Sequence, residues 1–235
     1  MRQNCEEKKQ VKVHFLSSIF YIKINKLKSI DKKIQYFTIS MFLTFLQEII
    51  KMTTLMMPEF LTDGVIELYA RKDYRFDADM MTEIDSNRLF LREYLLWVDK
   101  TNSIEDCHKA SDMFCDGWNQ SETFAYSLVL KETGHAVGSI DLHNINQNNK
   151  KAEIGYWLAE RYNGRGLISR SVQLIEKQAF STGFHRLEIC VQKENLPSAR
   201  VAERNGYILE GTLTDALFKY GSFYDELVFA KINKA

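Results

Sequence analysis

A mixed α/β (α+β) fold, a central sheet flanked by helices, is predicted from three features of the sequence. Ala152 to Val172 reads as a buried strand, a tight glycine turn and the start of a helix. Thr123 to Lys131 and Ala136 to Asn144 read as strands joined by Glu132-Thr133-Gly134-His135, the signal of an antiparallel hairpin. Beyond the glycine turn, helical and strand-like segments follow one another to the C-terminus, which requires parallel and antiparallel neighbours in one sheet.

The elements follow in order. Val65 to Arg71 alternates and reads as a first strand. Asp77 to Trp97 reads as two helices, its apolar residues falling at helical spacing. Ser103 opens a further helix to about Asn119, with Asp106 three residues on, close to a capping box. The hairpin strands come next, then a polar loop from Asn144 to Lys151 and a strand from Ala152 to Leu158. A helix over Ile168 to Thr182 is closed by Gly183. His185 to Gln192 is a strand, and Pro197 to Asn205 a helix with proline in its first turn, where a missing N–H costs nothing. Tyr207 to Leu213 and Phe223 to Ile232 form a last hairpin around a loop at 214–222.

The turn carries the chemistry. Arg161-Tyr162-Asn163-Gly164-Arg165-Gly166 has the spacing R-x-x-G-x-G. A strand entering such a turn and a helix leaving it aim unpaired N–H groups, and the positive end of the helix dipole, at one point. That suits a phosphate or pyrophosphate. The run G-x-x-x-x-G-K-[ST] of a P-loop does not occur, and Gly164-x-Gly166-x-x-Ser169 lacks the third glycine of a dinucleotide fingerprint.

Further motifs stand downstream: Asn195-Leu196-Pro197-Ser198 leading into Val201-Ala202-Glu203-Arg204-Asn205-Gly206-Tyr207, then Gly211-Thr212-Leu213 and Tyr220 to Glu226. Upstream are Arg92 to Asp99 and Ser103 to Asp106. Together, over roughly 60–232, these resemble the GNAT superfamily of N-acetyltransferases, and within it the RimJ/RimL-type ribosomal-protein N-acetyltransferases. The resemblance implies the acyl-CoA N-acyltransferase fold and acetyl-CoA as cosubstrate, with no metal. It implies that the backbone of Tyr162, Asn163, Gly164, Arg165, Gly166, Leu167 and Ile168 holds the pyrophosphate, with charge from Arg161 and Arg165. It places the pantetheine arm along Gly155, Tyr156, Trp157 and Leu158, beside a splayed strand at Glu188 to Val191. It puts an oxyanion donor near Leu158, Asn195 on the pantetheine and Ser198 beside the sulfur. For Trp157 a plain core role competes with covering the arm, and for Ser198 a helix-cap role.

The acceptor amine arrives mostly protonated and needs a proton acceptor. Glu153 is the first candidate, among apolar residues that would raise its pKa, and Asp141 the second. Ser139, Asp141 and His143 share one strand face by alternation. No elbow or third partner supports a Ser139/His143 acyl-enzyme. The expected reaction is direct acetyl transfer to a primary amine, foremost the α-amino group of a protein N-terminus. A small amine or antibiotic, or a non-catalytic acyl-CoA-binding module, are the alternatives.

Composition adds limits. The 235 residues are 45% hydrophobic and 12% aromatic, as expected of a globular chain. The formal charge of zero conceals a division: 1–51 holds ten basic and four acidic residues, the remainder 21 basic and 27 acidic. An acidic domain attracts amines and gives no reason to expect direct nucleic-acid contact. The cysteines, Cys5, Cys107, Cys115 and Cys190, make no C-x-x-C pair or zinc spacing. Residues 1–51 match nothing in the acetyltransferase pattern and read as an extension foreign to the native domain, which is taken as 52–235. Tyr36 to Ile50 is apolar over only fifteen residues, short of the about 20 that a membrane span needs. No convincing secretory signal precedes it; with no disulfide framework expected in so large a chain, a reducing cytoplasm is the expected setting. A homodimer is left open.

Overall fold

The computed structural model describes Leu55–Lys234; the predicted extension at 1–51 lies outside the described residues. Eight strands form one sheet in the order β1-β2-β3-β4-β5-β6-β8-β7. These are β1 Phe60–Thr62, β2 Ile66–Ala70, β3 Phe124–Leu130, β4 His135–Asn146, β5 Lys151–Leu158, β6 Arg186–Gln192, β7 Ile208–Lys219 and β8 Ser222–Ile232. The helices are α1 Asp77–Ser86, α2 Arg88–Arg92, α3 Ile104–Gln120, α4 Leu167–Ser181 and α5 Leu196–Arg204, with 3-10 turns at Leu96–Lys100 and Glu160–Tyr162. All ladders are antiparallel except β5–β6, so the predicted mixed sheet is present.

Two expectations change. The 214–222 loop is mostly strand: β7 continues to Lys219 and pairs it with Ser222 around Tyr220 and Gly221, at φ 49° and 83°. Two adjacent positive φ values give the two-residue turn whose twist matches a hairpin. A register shift between Leu213 and Leu217 interrupts the alternation there. The helical stretch to Trp97 stops earlier, at Arg92, and Trp97 lies in a 3-10 turn. Strand β1 has no counterpart in the sequence reading.

The sheet is covered on two faces, as consecutive residues of β5 show. Trp157 packs with Met80, Ile84, Leu91, Val98 and Cys107 beneath α1, α2 and α3, whereas Tyr156 reaches Ser198 on α5. Neighbouring strand residues point to opposite faces, so α1–α3 cover one side and α5 the other, with α4 packed against α5. Helix α4 buries Leu167, Ile168, Ser171, Val172, Ile175 and Ala179 along one stripe, which explains its amphipathic reading.

Candidate active site

The parallel β5–β6 ladder is short. It pairs Lys151 with Arg186, Ala152 with Leu187 and Glu153 with Glu188, and then the strands diverge. From Ile154 onward β5 has a strand neighbour only on the β4 side, so one edge of its backbone offers unused N–H and C=O groups. A cavity of about 210 Å³ fills the divergence. It is lined by Glu153 to Tyr156 of β5, Ile189 to Gln192 of β6, Asn195, Ser198, Tyr94, Leu95, Leu217 and Glu226.

Strand β5 ends at the glycine turn. Gly164 and Gly166 adopt φ 79° and 72°, conformations that cost a residue with a Cβ about 1–2 kcal/mol. A Cβ placed on either would meet nothing within 4 Å, so the space before the turn is open. Gly166 is the N-cap of α4, and no side chain caps it and no acidic residue occupies the first turn. The orphan N–H groups of Leu167 and Ile168 therefore meet no negative charge from that turn, the condition for anion capture. Arg165 borders a second cavity of about 450 Å³ with Lys131, Leu167 and Arg170, and its guanidinium lies 5.3 Å from the Tyr162 ring centroid.

Arg161 has another occupation. It is ion-paired with Glu83 of α1, a fully buried carboxylate that also meets His135 Nε2 at 2.6 Å. The Glu160 N–H donates to Asn87 Oδ1 at 3.0 Å. The end of α1 thus fastens the entry of the glycine turn, and Arg161 acts first as a tether. Trp157 likewise takes its core role: only 9% exposed, it stands 5.8 Å from the Trp97 ring centroid. Its side chain points away from Tyr156 and α5, leaving only its backbone for a ligand along β5. Leu158 is buried.

On the opposite side of β5, the Ser198 and Tyr156 hydroxyls are 2.8 Å apart. Asn195, not Ser198, caps α5: its Oδ1 accepts the Ser198 N–H at 3.2 Å. Burial pushes the Tyr156 phenol up to about 12, against the effect of the Ser198 hydrogen bond, so it stays protonated near neutrality and can donate.

The candidate carboxylates converge on His143. The register places His143 opposite Glu153 and Asp141 opposite Gly155. His143 Nδ1 lies 2.6 Å from Asp141 Oδ1 and Nε2 3.4 Å from Glu153 Oε1, while Asn144 Nδ2 donates to Glu153 Oε2 at 2.9 Å. Gly155 makes room, since a Cβ there would sit 3.0 Å from the imidazole. Burial opposes charge on His143, but the two carboxylates outweigh it and raise its pKa to about 10. The ring is an imidazolium at neutral pH. The predicted rise in the Glu153 pKa is overturned: burial pushes it up, yet His143 and Asn144 bring it below the ordinary value. Ser139 is buried and donates to Tyr126 O at 2.9 Å, which leaves its hydroxyl committed to the backbone.

Sequence reasoning missed three features: the Tyr156–Ser198 contact, the clamp on His143, and Glu226 in the cavity wall. Alternation on β4 pointed toward the second, but its completion depends on the β4–β5 register.

Comparison with known proteins accords with this geometry. Residues 69–208 match the family model described as an acetyltransferase (GNAT) domain. The ribosomal-protein-serine acetyltransferase of Escherichia coli (strain K12) is 34% identical over 150 residues, covering 63% of this chain and 83% of that protein. The spermidine N(1)-acetyltransferase of the same organism is 27% identical over 97 residues, covering 41% of this chain and 52% of its own. A solved structure of a ribosomal L7/L12 α-N-protein acetyltransferase in complex with coenzyme A superposes with a TM-score of 0.70 at 26% identity, over 74% of this chain and 98% of that one.

Proposed function

The chain belongs to the GNAT acetyltransferase family, and on that footing we propose that it moves an acetyl group from acetyl-CoA to the α-amino group of a protein N-terminus, of the ribosomal-protein-serine type, by direct transfer. The observation that carries this reading is the break in the sheet: a free strand edge and a hydroxyl pair line one cavity, and the same strand runs on into a glycine turn whose helix start suits an anion. Acetyl-CoA, treated as a substrate, fits these residues. Its pyrophosphate suits the N–H groups of the turn between Tyr162 and Ile168, and its arm suits the edge of β5 from Gly155 to Leu158. Asn195 supports the geometry by ordering the first turn of α5.

In this reading each group has a separate task. The β5 edge aligns the acyl group, with a backbone N–H near Leu158 stabilising charge on its oxygen; one such donor is worth about 3–4 kcal/mol in acyl transfer. Ser198, backed by the Tyr156 hydroxyl, gives a proton to the departing thiolate. Asp141 and Glu153, with His143 between them, form a polar wall on the acceptor side of β5. The activity resides in 52–235 and the setting is the cytoplasm. Similarity to a spermidine acetyltransferase and the acidic wall favour a polyamine as the second reading.

The test is thiol release from acetyl-CoA by the purified protein with peptides beginning in Ser, Ala or Met and with spermidine. Release dependent on a Ser-terminated peptide supports the proposal. Release with spermidine alone supports the second reading, and binding of acetyl-CoA without release under any acceptor refutes catalysis.

A further inference from the structure

Two carboxylates line the cavity where the β5 and β6 strands part, Glu153 and Glu226. They differ in what they hold. Glu153 is engaged on both oxygens, by His143 and by Asn144. Glu226, among the described residues, has no ion pair or hydrogen bond to its carboxylate. Its position comes from the sheet order: β8 lies beside β6, and the register sets Glu226 opposite Gln192 at the last pair of that ladder. The C-terminal hairpin thereby puts a carboxylate on the wall facing β5, in the same cavity as Ser198 and Cys190.

We propose that Glu226, rather than Glu153, takes the proton from the acceptor ammonium group. This rests on the acetyltransferase reading above. The ammonium gives one proton to Glu226, and the nitrogen lone pair then forms the C–N bond to the acetyl carbon. The C–S bond breaks, and the thiolate takes its proton from Ser198. The second proton lost by the nitrogen restores Ser198, and Glu226 returns its proton to water before the next turnover.

The surroundings agree with that task. A proton acceptor must be free to change charge, and Glu153 is held as an anion by an imidazolium while Glu226 has no cation beside it. Burial, and then the nearby charge of Glu153, raise the Glu226 pKa above the ordinary carboxylate value, toward that of an amine. The other groups lining this cavity that can titrate are Tyr94, Tyr156 and Cys190. All three are pushed up to about 12 by burial, so they stay neutral and neither compete for the proton nor supply a cation near pH 7. Of the charged neighbours in β8, Asp225 is paired with Lys193.

The experiment compares the full chain with Glu226→Gln and Glu153→Gln across pH 6–9, following thiol release with acetyl-CoA and a Ser-terminated peptide, and measuring acetyl-CoA binding by calorimetry. The expected result for Glu226→Gln is a fall in kcat of about 100-fold at neutral pH, an unchanged acetyl-CoA affinity, and an acidic limb displaced upward from the carboxylate's pKa to that of the amine, with turnover recovering as pH approaches the latter. Glu226→Ala is expected to regain turnover with added formate. A Glu226→Gln enzyme whose acidic limb stays at the wild-type pH, or a Glu226→Ala enzyme indifferent to formate, overturns the proposal. So does an upward displacement of the limb confined to Glu153→Gln. Failure of the wild-type protein to bind acetyl-CoA would instead overturn the acetyltransferase reading, and this proposal with it.

Discussion

His143 is held between two carboxylates, and its charge has a direct consequence for stability. Its folded pKa of about 10 exceeds the unfolded value of 6.5, so the folded state binds the proton more tightly. The resulting stabilisation is complete below about pH 6.5 and disappears as pH rises toward 10. Urea unfolding at pH 6 and pH 9 is expected to show a fall that His143→Gln largely removes, and carbon-detected NMR is expected to show no titration of this ring between pH 6 and 8. A ring that titrates near 6.5 would contradict the clamp. On the other face of β5, Ser198 tests a separate step. Ser198→Ala is expected to lower kcat about tenfold while acetyl-CoA affinity, from calorimetry, stays within a few-fold. An unchanged kcat would remove Ser198 from proton delivery. Which residues would meet was hidden in the sequence for one reason: period-2 alternation assigns a face but not a partner. Asp141 and His143 were legible as neighbours on β4, yet their convergence with Glu153 needed the register that pairs His143 across to it.

At the level of elements, the glycine turn was legible because its function lies in the backbone. Positive φ favours glycine whatever surrounds it, and the following apolar stripe marks α4. Gly166→Ala supplies the corresponding prediction. With nothing crowding the new Cβ, the cost is backbone strain of about 1–2 kcal/mol, visible in thermal unfolding. The methyl group would also stand before the N–H groups that head α4, so acetyl-CoA affinity is expected to fall about tenfold. Unaltered binding by calorimetry would show that the coenzyme does not use this turn. Other elements were hidden. Strand β1 is three residues long, too short to display a period. The end of β7 breaks its alternation at the register shift between Leu213 and Leu217, and its strand character comes from pairing with β8. Lys219 anchors that end from within: it is 5% exposed and donates to Glu93 O at 2.6 Å and to Gln192. A buried ammonium needs such partners, and none could be named from a local window of sequence.

For the whole molecule, the sheet order decides what the site can contain. Non-sequential placement of β8 between β6 and β7 brings the C-terminal hairpin to the cavity, which is why Glu226 could not be singled out by reading along the chain. The same order leaves β1–β5 joined to β6–β8 by a ladder of only three residue pairs. The sheet is in effect two panels with a seam, closed at one end and open at the other. A substrate arm lying in the open end would act as the missing thread, bonding to the β5 edge and bridging the panels. Its binding should then be felt mechanically as well as chemically. Amide hydrogens between Gly155 and Leu158 are expected to exchange more slowly once acetyl-CoA is added, with slower exchange at Ile189 to Gln192 across the seam. A hundredfold excess over the dissociation constant would stabilise the fold by about 2.7 kcal/mol. If protection appears only at the glycine turn and not along the seam, the ligand is held by its phosphates alone. The opening proposed to admit the substrate thus lies beside one of the shortest ladders of the sheet, and the enzyme is expected to be most tightly sewn together when it is loaded to react.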